Sequence, residues 1–274
     1  MSPASSNSIP SPTVPPTGAP TGARIIAITS GKGGVGKTFV SANLAAALTR
    51  RGQRVLVLDA DLGLANLDVV LNLYPKTTLH DVFTGKSTLE DAVIEAPGGF
   101  SVLLAGSGMV EYSRLTPEVR ENLLRIIEQV KPRYDWVLID TGAGISDVVL
   151  YAVSLADEVL VVATPEPTSL TDAYATIKVL ATQQQRHGVK LLVNQTSRLG
   201  ESRVIRGQLQ QVVDRYVTPQ LQEPGVPFKL ELVGEIPTDS AVREAVQKRR
   251  LLLESLPGCP AAKGISAVAD KLVS

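Results

Sequence analysis

Short, continuously apolar runs alternate along the chain with longer stretches whose apolar residues recur at helical spacing. Runs such as RVLVLD and DWVLID are apolar at nearly every position rather than at every second one. A strand with that pattern is buried on both faces, which predicts a parallel sheet covered by helices. Seven segments are predicted as strands: Arg24–Thr29, Arg54–Asp59, Phe100–Ala105, Asp135–Asp140, Glu158–Ala163, Val189–Asn194 and Lys229–Val233.

Helical periodicity fills the intervals between these strands. The predicted helices are Thr38–Arg50, Pro117–Val130, Asp147–Leu155, Ser169–Gln185 and Ser202–Val217. The alternation predicts an α/β fold with a doubly wound, mainly parallel sheet flanked by helices. Near the end, one helical face collects Ile265, Val268, Ala269, Leu272 and Val273. We expect this helix to dock on the core; a membrane-surface helix is the alternative, although basic flanks and bulky apolar residues are few.

Composition divides the chain into two parts. Met1–Ala23 is rich in Pro and Ser and has no charged side chain, so we predict a disordered tail over residues 1–23. The remaining residues, 24–274, show no further break and suit one domain. Lys+Arg and Asp+Glu both number 27, so the zero net charge gives no strong sign of a nucleic-acid partner. The single cysteine, Cys259, excludes multi-cysteine metal sites within one chain.

A phosphate-binding loop follows the first predicted strand. The segment GKGGVGKT satisfies the pattern G-x-x-x-x-G-K-[ST], between an apolar run and a helical one. In such loops, glycines turn successive backbone N–H groups toward an anion, the lysine reaches the β- and γ-phosphates, and the hydroxyl binds Mg²⁺. The candidate nucleotide-binding residues are Gly31, Lys32, Gly33, Gly34, Val35, Gly36, Lys37 and Thr38.

Carboxylates follow two of the predicted strands. Asp59 and Asp61 come at the end of RVLVLDAD, and Asp140 closes DWVLID. Ligands of such sheets bind at the carboxyl ends of the strands, where an aspartate can support a nucleotide-bound Mg²⁺. Asp59 and Asp140 are therefore candidate metal-site residues, and Asp61 is a candidate to orient the attacking water. A capping role for each aspartate is the alternative.

Two later strand ends offer contacts to a purine. Asn194 ends LLVN, and Pro237 follows the strand that begins at Lys229. An amide edge and an apolar ring suit an adenine base, so both residues are candidates to line it. An asparagine at a strand end is also a common turn residue, and that alternative stays open.

The loop KGGVGKT resembles the deviant Walker A motif of the SIMIBI-type P-loop NTPases, the MinD/ParA family. Within that family, DADLGLANLDVVLNL, IDTGAGIS and TPEPTSLTDAYATIK are most similar to FlhG/FleN, the regulators of flagellar number and placement. The resemblance runs from Arg24 to Val273. It implies a slow, Mg²⁺-dependent ATPase domain that dimerises when ATP binds.

The resemblance also assigns roles to residues. Lys32, the extra lysine of the loop, would reach the phosphates bound by the other subunit, while Lys37 and Thr38 hold phosphate and Mg²⁺ within the chain. Lys32, Lys37 and Asp61 are thus the expected catalytic residues. Asp59 and Asp140 would support the metal. Asn194 and Pro237 would line adenine.

For function, the resemblance implies a cytoplasmic switch that controls the number or placement of flagella. A MinD-like cell-division ATPase or a ParA-like DNA-partition ATPase is the alternative; the DPQ-like segment common in ParA is missing here. Expected partners are a second copy of the chain and flagellar regulators, namely an FlhF-like GTPase, a transcription activator or switch-complex components. The DQAxxLR-like start that engages the GTPase and the basic C-terminal membrane helix are both missing, so only transient contact with the inner membrane face is expected.

Overall fold

The computed structural model describes residues 22–63, 66–106, 112, 114–221 and 226–274. Nearly all of the predicted tail therefore lies outside the described residues. The last tail residue, Ala23, is buried, and its N–H donates a hydrogen bond to the carbonyl of Lys131 at 2.8 Å. Among the helices described, none is long and apolar enough to cross a membrane.

An eight-stranded sheet runs through the molecule in the order β3-β4-β2-β5-β1-β6-β7-β8. All neighbouring strands are parallel except β3 and β4, which form an antiparallel pair at one edge. The strands are β1 Arg24–Ser30, β2 Val55–Ala60, β3 Val93–Glu95, β4 Ser101–Leu103, β5 Trp136–Ala143, β6 Glu158–Ala163, β7 Gly188–Thr196 and β8 Lys229–Pro237.

Helices cover both faces of this sheet. They are α1 Lys37–Thr49, α2 Leu67–Leu71, α3 Leu79–Phe83, α4 Leu89–Ala92, α5 Pro117–Val130, α6 Asp147–Ser154, α7 Pro167–Gln183, α8 Glu201–Tyr216, α9 Ser240–Gln247, α10 Leu252–Ser255 and α11 Pro260–Val273. One apolar core packs α5, α6, α7 and α8 against the sheet, and a second packs α1, α10 and α11 against its other face. The doubly wound α/β fold is thus confirmed.

The long predicted elements are all present. Glu158–Ala163 and Pro117–Val130 keep their predicted bounds, because a buried strand and an amphipathic helix capped by Thr116 carry strong signals. The predicted strand end at Asp140 is too early. β5 continues to Ala143, which pairs with Ser30 of β1.

The last helix, α11, docks on the sheet as expected. Ile265, Val268, Ala269 and Leu272 are buried against β8 and α1, whereas Val273 is 41% exposed and lies off this face. The apolar stripe of α11 is therefore occupied by the core.

Candidate functional site

The phosphate loop lies between β1 and α1, at the carboxyl edge of the sheet. Gly34 and Gly36 have φ angles of 80° and 95°, in the left-handed region that glycine adopts without steric cost. Gly36 directly precedes α1, so the loop N–H groups and the positive end of the helix lie together. A Cβ atom added at Gly33 or Gly34 would meet nothing within 4 Å. The loop therefore forms a cradle that an anion can approach.

Helix α7 packs directly on the start of this loop. A Cβ atom at Gly31 would lie 2.1 Å from the carbonyl oxygen of Asp172, so only glycine fits there. The amide of Asn194 supports the other side of the loop by donating to the carbonyl of Val35 at 2.8 Å. The loop is thus held between β7 and α7 before any ligand arrives.

Lys37 is buried beside the loop. Its Nζ donates to the hydroxyl of Ser30 at 3.0 Å. Burial lowers the pKa of Lys37, and the carboxylates of Asp140 and Asp61 oppose that effect. Because the hydrogen-bond partner is neutral, the ammonium charge is available to an anion in the cradle.

Asp140 lies in β5, next to Asp59 of β2 in the register of the sheet. The hydroxyl of Ser41, on α1, donates to Asp140 Oδ1 at 2.8 Å. Burial raises the pKa of Asp140 to about 6, and hydrogen bonds from Thr38 and Ser41 oppose the rise. Strand register and helix α1 together bring Thr38, Ser41 and Asp140 into one cluster. Sequence reasoning missed Ser41, although it lies four residues after Lys37 on the same helical face.

Asp59 is a second buried carboxylate. Its Oδ1 accepts a hydrogen bond from the N–H of Asp61 at 3.1 Å, while its Oδ2 is buried without a partner. Burial, followed by repulsion from Asp140, raises the pKa of Asp59 well above its ordinary value. Two carboxylates this close in a buried place favour a shared proton or a cation.

A cavity of about 670 Å³ lies at the phosphate loop. It is lined by Gly33, Gly34, Gly36, Lys37 and Thr38. Asp61 and Gly142 line it as well, and a Cβ atom at Gly142 would lie 3.3 Å from Asp61 Oδ1. The structure therefore places Asp61 in the same cavity as the loop.

Lys32 points away from this cavity. Its Nζ donates to Glu166 Oε2 and to Thr168 Oγ1, both at 3.0 Å, near the start of α7. The side chain is 40% exposed, so this ion pair lies at the surface. Within one chain, Lys32 does not contact the candidate phosphate site. Glu166 and Thr168 were not predicted, since nothing in their local sequence indicates this contact.

Pro237 also lies outside the large cavity. It pairs with Thr196 at the end of β8 and lines a separate cavity of about 440 Å³ together with Arg198, Leu199 and Thr238. The amide of Asn194 is engaged by the carbonyl of Val35 in the phosphate loop. The structure thus brings Lys37, Thr38, Asp59, Asp61 and Asp140 together and leaves Lys32, Asn194 and Pro237 around their margin.

The residues present fit a nucleotide and a magnesium ion. The glycine cradle has open space, Lys37 supplies a positive charge, and the orphaned Oδ2 of Asp59 lies in a buried acidic pair with Asp140. No group of three or more His, Cys, Asp or Glu side chains forms a metal cage within the described ranges. A hydroxyl and one or two carboxylates suit Mg²⁺, which usually takes its remaining ligands from phosphates and water.

Comparisons with known proteins agree with this geometry. A family model described as an AAA domain matches residues 23–193. The chain is 43% identical over 251 residues to the antiactivator FleN of Pseudomonas aeruginosa, and the match covers 92% of this chain and 86% of FleN. It is 31% identical over 251 residues to the flagellum site-determining protein YlxH of Helicobacter pylori, covering 92% of this chain and 82% of YlxH.

Among solved structures, the septum site-determining protein MinD of Pyrococcus horikoshii, complexed with Mg-ADP, matches with a TM-score of 0.72 and 28% identity. The match covers 91% of this chain and 96% of that one. These findings confirm the resemblance that the loop and the strand-end segments indicate. The chain therefore belongs to the MinD/ParA family of P-loop ATPases, in the branch that contains FleN.

Proposed function

We propose that this chain is an ATP-driven dimerisation switch that controls the number or placement of flagella. The observation that carries the proposal is the loop with two lysines, of which Lys37 is directed to the cavity and Lys32 is held outside it. A lysine outside its own site is available to a second copy. The similarity to FleN, named an antiactivator, and to YlxH, named a flagellum site-determining protein, supports the flagellar role.

In this proposal the loop from Gly31 to Thr38 holds the phosphates, and Lys37 neutralises them. Thr38 and Asp140, supported by Asp59, hold Mg²⁺, which neutralises charge on the phosphate oxygens when it is bound. Asp61 orients the attacking water. Asn194 and Pro237 line the adenine from the β7 and β8 side. Catalysis then rests on placement and charge rather than on a nucleophilic side chain. We expect slow hydrolysis, as the resemblance to the family implies.

Dimerisation requires Lys32 to exchange one anion for another. It leaves Glu166 and Thr168 and binds the phosphates held by the second copy. An exposed ion pair such as Lys32–Glu166 contributes little, so a phosphate outcompetes it. We expect the dimer to work in the cytoplasm with flagellar regulators, an FlhF-like GTPase, a transcription activator or switch-complex components among them, and to touch the inner membrane face at most transiently.

The test is sedimentation of wild type, Lys32→Ala and Asp61→Ala, each with Mg²⁺ and ATP. Asp61→Ala should bind ATP, lose turnover and accumulate as a dimer. Lys32→Ala should keep most of its nucleotide affinity. Its dimer should be weaker by roughly ten- to hundredfold for each of the two symmetric lysine–phosphate interactions that the substitution removes. Lys37→Ala, which should abolish nucleotide binding, is the control. If Lys32→Ala dimerises as well as Asp61→Ala does, the crossing role is wrong.

A ParA-like role in DNA partition is the runner-up. It would use the arginines on and near α8. Arg203 and Arg215 are exposed, but the guanidinium of Arg206 donates to the carbonyl of Leu230 and is turned inward. A salt-dependent shift of a DNA duplex by the ATP-trapped Asp61→Ala protein would favour this alternative.

A further inference from the structure

A second concavity lies on the α1 face of the sheet, between the end of α2 and the segment that joins α9 to α10. Its volume is about 380 Å³. We name it the arginine cleft and define it by Leu71, Leu73, Arg249, Arg250, Leu251 and Glu254, which line it. Leu71 and Leu251 are buried at its base. The cleft therefore has an apolar floor below two charged side chains.

The charge of the cleft is unbalanced. Arg249 and Arg250 are both exposed, and neither forms an ion pair in the part of the chain that the structure describes. Glu254 is the sole carboxylate among the described lining residues. By contrast, the neighbouring Lys248 is paired with Glu244. Two guanidinium groups that have no ion-pair partner among the described residues, with one carboxylate beside them, leave a net positive charge that a partner with carboxylates would complement.

An aromatic side chain stands at the rim. Tyr74 is 79% exposed, and its hydroxyl lies 3.5 Å from Arg249 Nη1. Arg249 itself has a φ of 50°, a left-handed conformation that L-residues with a side chain rarely adopt. Hydrogen bonds from the N–H of Arg249 to Val246 and from the N–H of Arg250 to Ala245 hold the backbone there. Exposed Tyr and Arg side chains held in place are typical of the centres of protein interfaces.

The cleft shares its walls with the large cavity at the phosphate loop. On α2, Val70 lines that cavity while its neighbour Leu71 lines the cleft. On the C-terminal side, Val246 of α9 lines the cavity, and Arg249 follows three residues later in the cleft. A change in the cavity that shifts α2 or α9 must therefore change the shape of the cleft.

The P-loop helix is a third connection. The side-chain oxygen of Asn43, on α1, accepts a hydrogen bond from the N–H of Leu253 at 3.3 Å. Arg50, at the end of α1, donates to the carbonyl of Leu253 at 2.9 Å. Leu253 belongs to α10, the helix that also carries Glu254 of the cleft. Helix α1 thus runs from the phosphate loop to the wall of the arginine cleft.

We propose that the arginine cleft is a docking site for an acidic segment of a partner protein, and that the nucleotide state of the large cavity sets its affinity. A segment with an apolar side chain between carboxylates fits the leucine floor and the two guanidinium groups together. A DNA duplex instead needs an extended basic surface, and the concave shape with its apolar floor does not provide one. The dependence on nucleotide rests on the proposed ATP switch; the docking itself does not.

The first experiment screens a random library of displayed twelve-residue peptides against the full-length chain. The same library is screened against Arg249→Glu/Arg250→Glu and against a matched control, Arg243→Glu/Lys248→Glu, which makes the same charge change on exposed neighbours outside the cleft. Peptides that bind wild type and the control better than the cleft variant should be rich in Asp and Glu. The strongest of them should bind the cleft variant about tenfold more weakly than it binds wild type. The melting temperatures of both variants check that each is folded.

Three results would contradict the docking site. In the first, no peptide binds the control better than the cleft variant. In the second, the peptides that do so have no excess of acidic residues. In the third, a 20-base-pair DNA duplex binds wild type and depends on Arg249 and Arg250, while no acidic peptide does, which would make the surface a nucleic-acid site.

The second experiment measures the coupling with the strongest peptide. Its affinity for Asp61→Ala with ATP should differ about fivefold or more from its affinity for the same variant without nucleotide, and the peptide should change the affinity of that variant for ATP by the same factor. Lys37→Ala should still bind the peptide but show no nucleotide effect. If wild type binds no ATP, the proposed switch fails while docking stands. If ATP binds and the peptide affinity is the same in every state, the coupling is wrong.

Discussion

At the scale of single residues, two buried carboxylates at the site lower the stability of the fold. Asp59 and Asp140 are neighbours in the sheet and both are almost completely buried. An aspartate at either place does not stabilise the fold, because burying an ionised carboxylate beside another is unfavourable. Their presence fits a site that is completed by a cation.

This arrangement predicts how stability depends on pH in the metal-free chain. The pKa of Asp140 is about 6 in the folded state and near 3.8 when unfolded. Between pH 3.8 and about 6, the folded state keeps a proton on Asp140 that the unfolded state has lost. The stabilisation that this proton provides is fully present below pH 3.8 and is lost as the pH rises through about 6. Asp140→Asn should raise the free energy of unfolding at pH 7.5 by about 1–3 kcal/mol and reduce its pH dependence.

Urea unfolding at pH 5 and pH 7.5 in EDTA measures this effect. Burial still raises the pKa of Asp59 when the charge of Asp140 is removed, so some dependence on pH remains in the Asp140→Asn variant. A variant that is less stable than wild type at pH 7.5 would show that the ionised carboxylate stabilises the fold, contrary to the expectation.

Ser41 is expected to act by positioning Asp140. Ser41→Ala removes the donor to Asp140 Oδ1, and a hydrogen bond to a charged group contributes about 1.5–3 kcal/mol. The Mg²⁺ concentration needed for ATP binding should then rise roughly tenfold, with little change in nucleotide binding in EDTA. Ser169→Ala is the control, because Ser169 is also buried but lies on α7. This variant should change the free energy of unfolding and leave the Mg²⁺ requirement as in wild type. Equal Mg²⁺ requirements for both variants would remove Ser41 from the metal site.

At the scale of elements, local periodicity was enough for most of the long helices and strands, although it missed the eight-residue helix α9, and it was too little for the shortest helices. Helices α2, α3, α4 and α10 have only four or five residues, about one turn each, so they show no repeating pattern to read. Strand β3, with three residues, is set by its antiparallel pairing with β4. These elements form where tertiary contacts, rather than local propensity, decide.

The residues of the candidate site also fall into those that motifs indicate and those that only tertiary packing brings together. The motifs named Lys37, Thr38 and Asp140, and the structure places these three side chains near one another. The loop between β1 and α1 positions the first two, and the parallel pairing of β5 with β1 brings Asp140 to them. The partners of Lys32 come from α7, more than 130 residues away, and only the packing of α7 on the loop brings them there. No local pattern carries that information.

The contact between α7 and the phosphate loop yields a prediction at this scale. Gly31→Ala would place a Cβ atom 2.1 Å from the carbonyl of Asp172, so α7 must move away from the loop. We expect a loss of about 1–3 kcal/mol in the free energy of unfolding. Gly33→Ala meets nothing within 4 Å and should melt close to wild type. Calorimetric melting compares the two; similar losses would mean that the contact with α7 is not tight.

At the scale of the whole molecule, the first strand and the last helix close the structure together. The guanidinium of Arg24, at the start of β1, donates to the carbonyl of Leu272 at 2.6 Å. Arg51, after α1, binds both the carbonyl of Ser266 and the carboxylate of Asp270. Helix α11 is therefore part of the main core and should unfold with it in one transition.

Substitutions in α11 distinguish a helix that docks on the core from a helix that binds a membrane. Leu272→Ala removes a buried side chain and should lower the free energy of unfolding by about 2–4 kcal/mol. Val273→Ala, on a residue that is 41% exposed, should change it by less than about 0.5 kcal/mol. Urea titration measures both variants, and sedimentation with anionic vesicles should show no difference between them. Loss of vesicle binding in Val273→Ala would instead indicate a membrane face.

The meeting of Arg24 and Leu272 has a consequence for attachments to the chain. Both residues lie at the amino edge of the sheet, a full strand length, roughly 20 Å, from the phosphate loop that follows Ser30. If two copies face each other across their phosphate loops as proposed, a fluorophore or a surface tether at the exposed Val273 stands on the outside of the pair. The protein can therefore be immobilised or labelled at residue 273 while the proposed association is measured, whereas the contacts of Arg24 should be left intact.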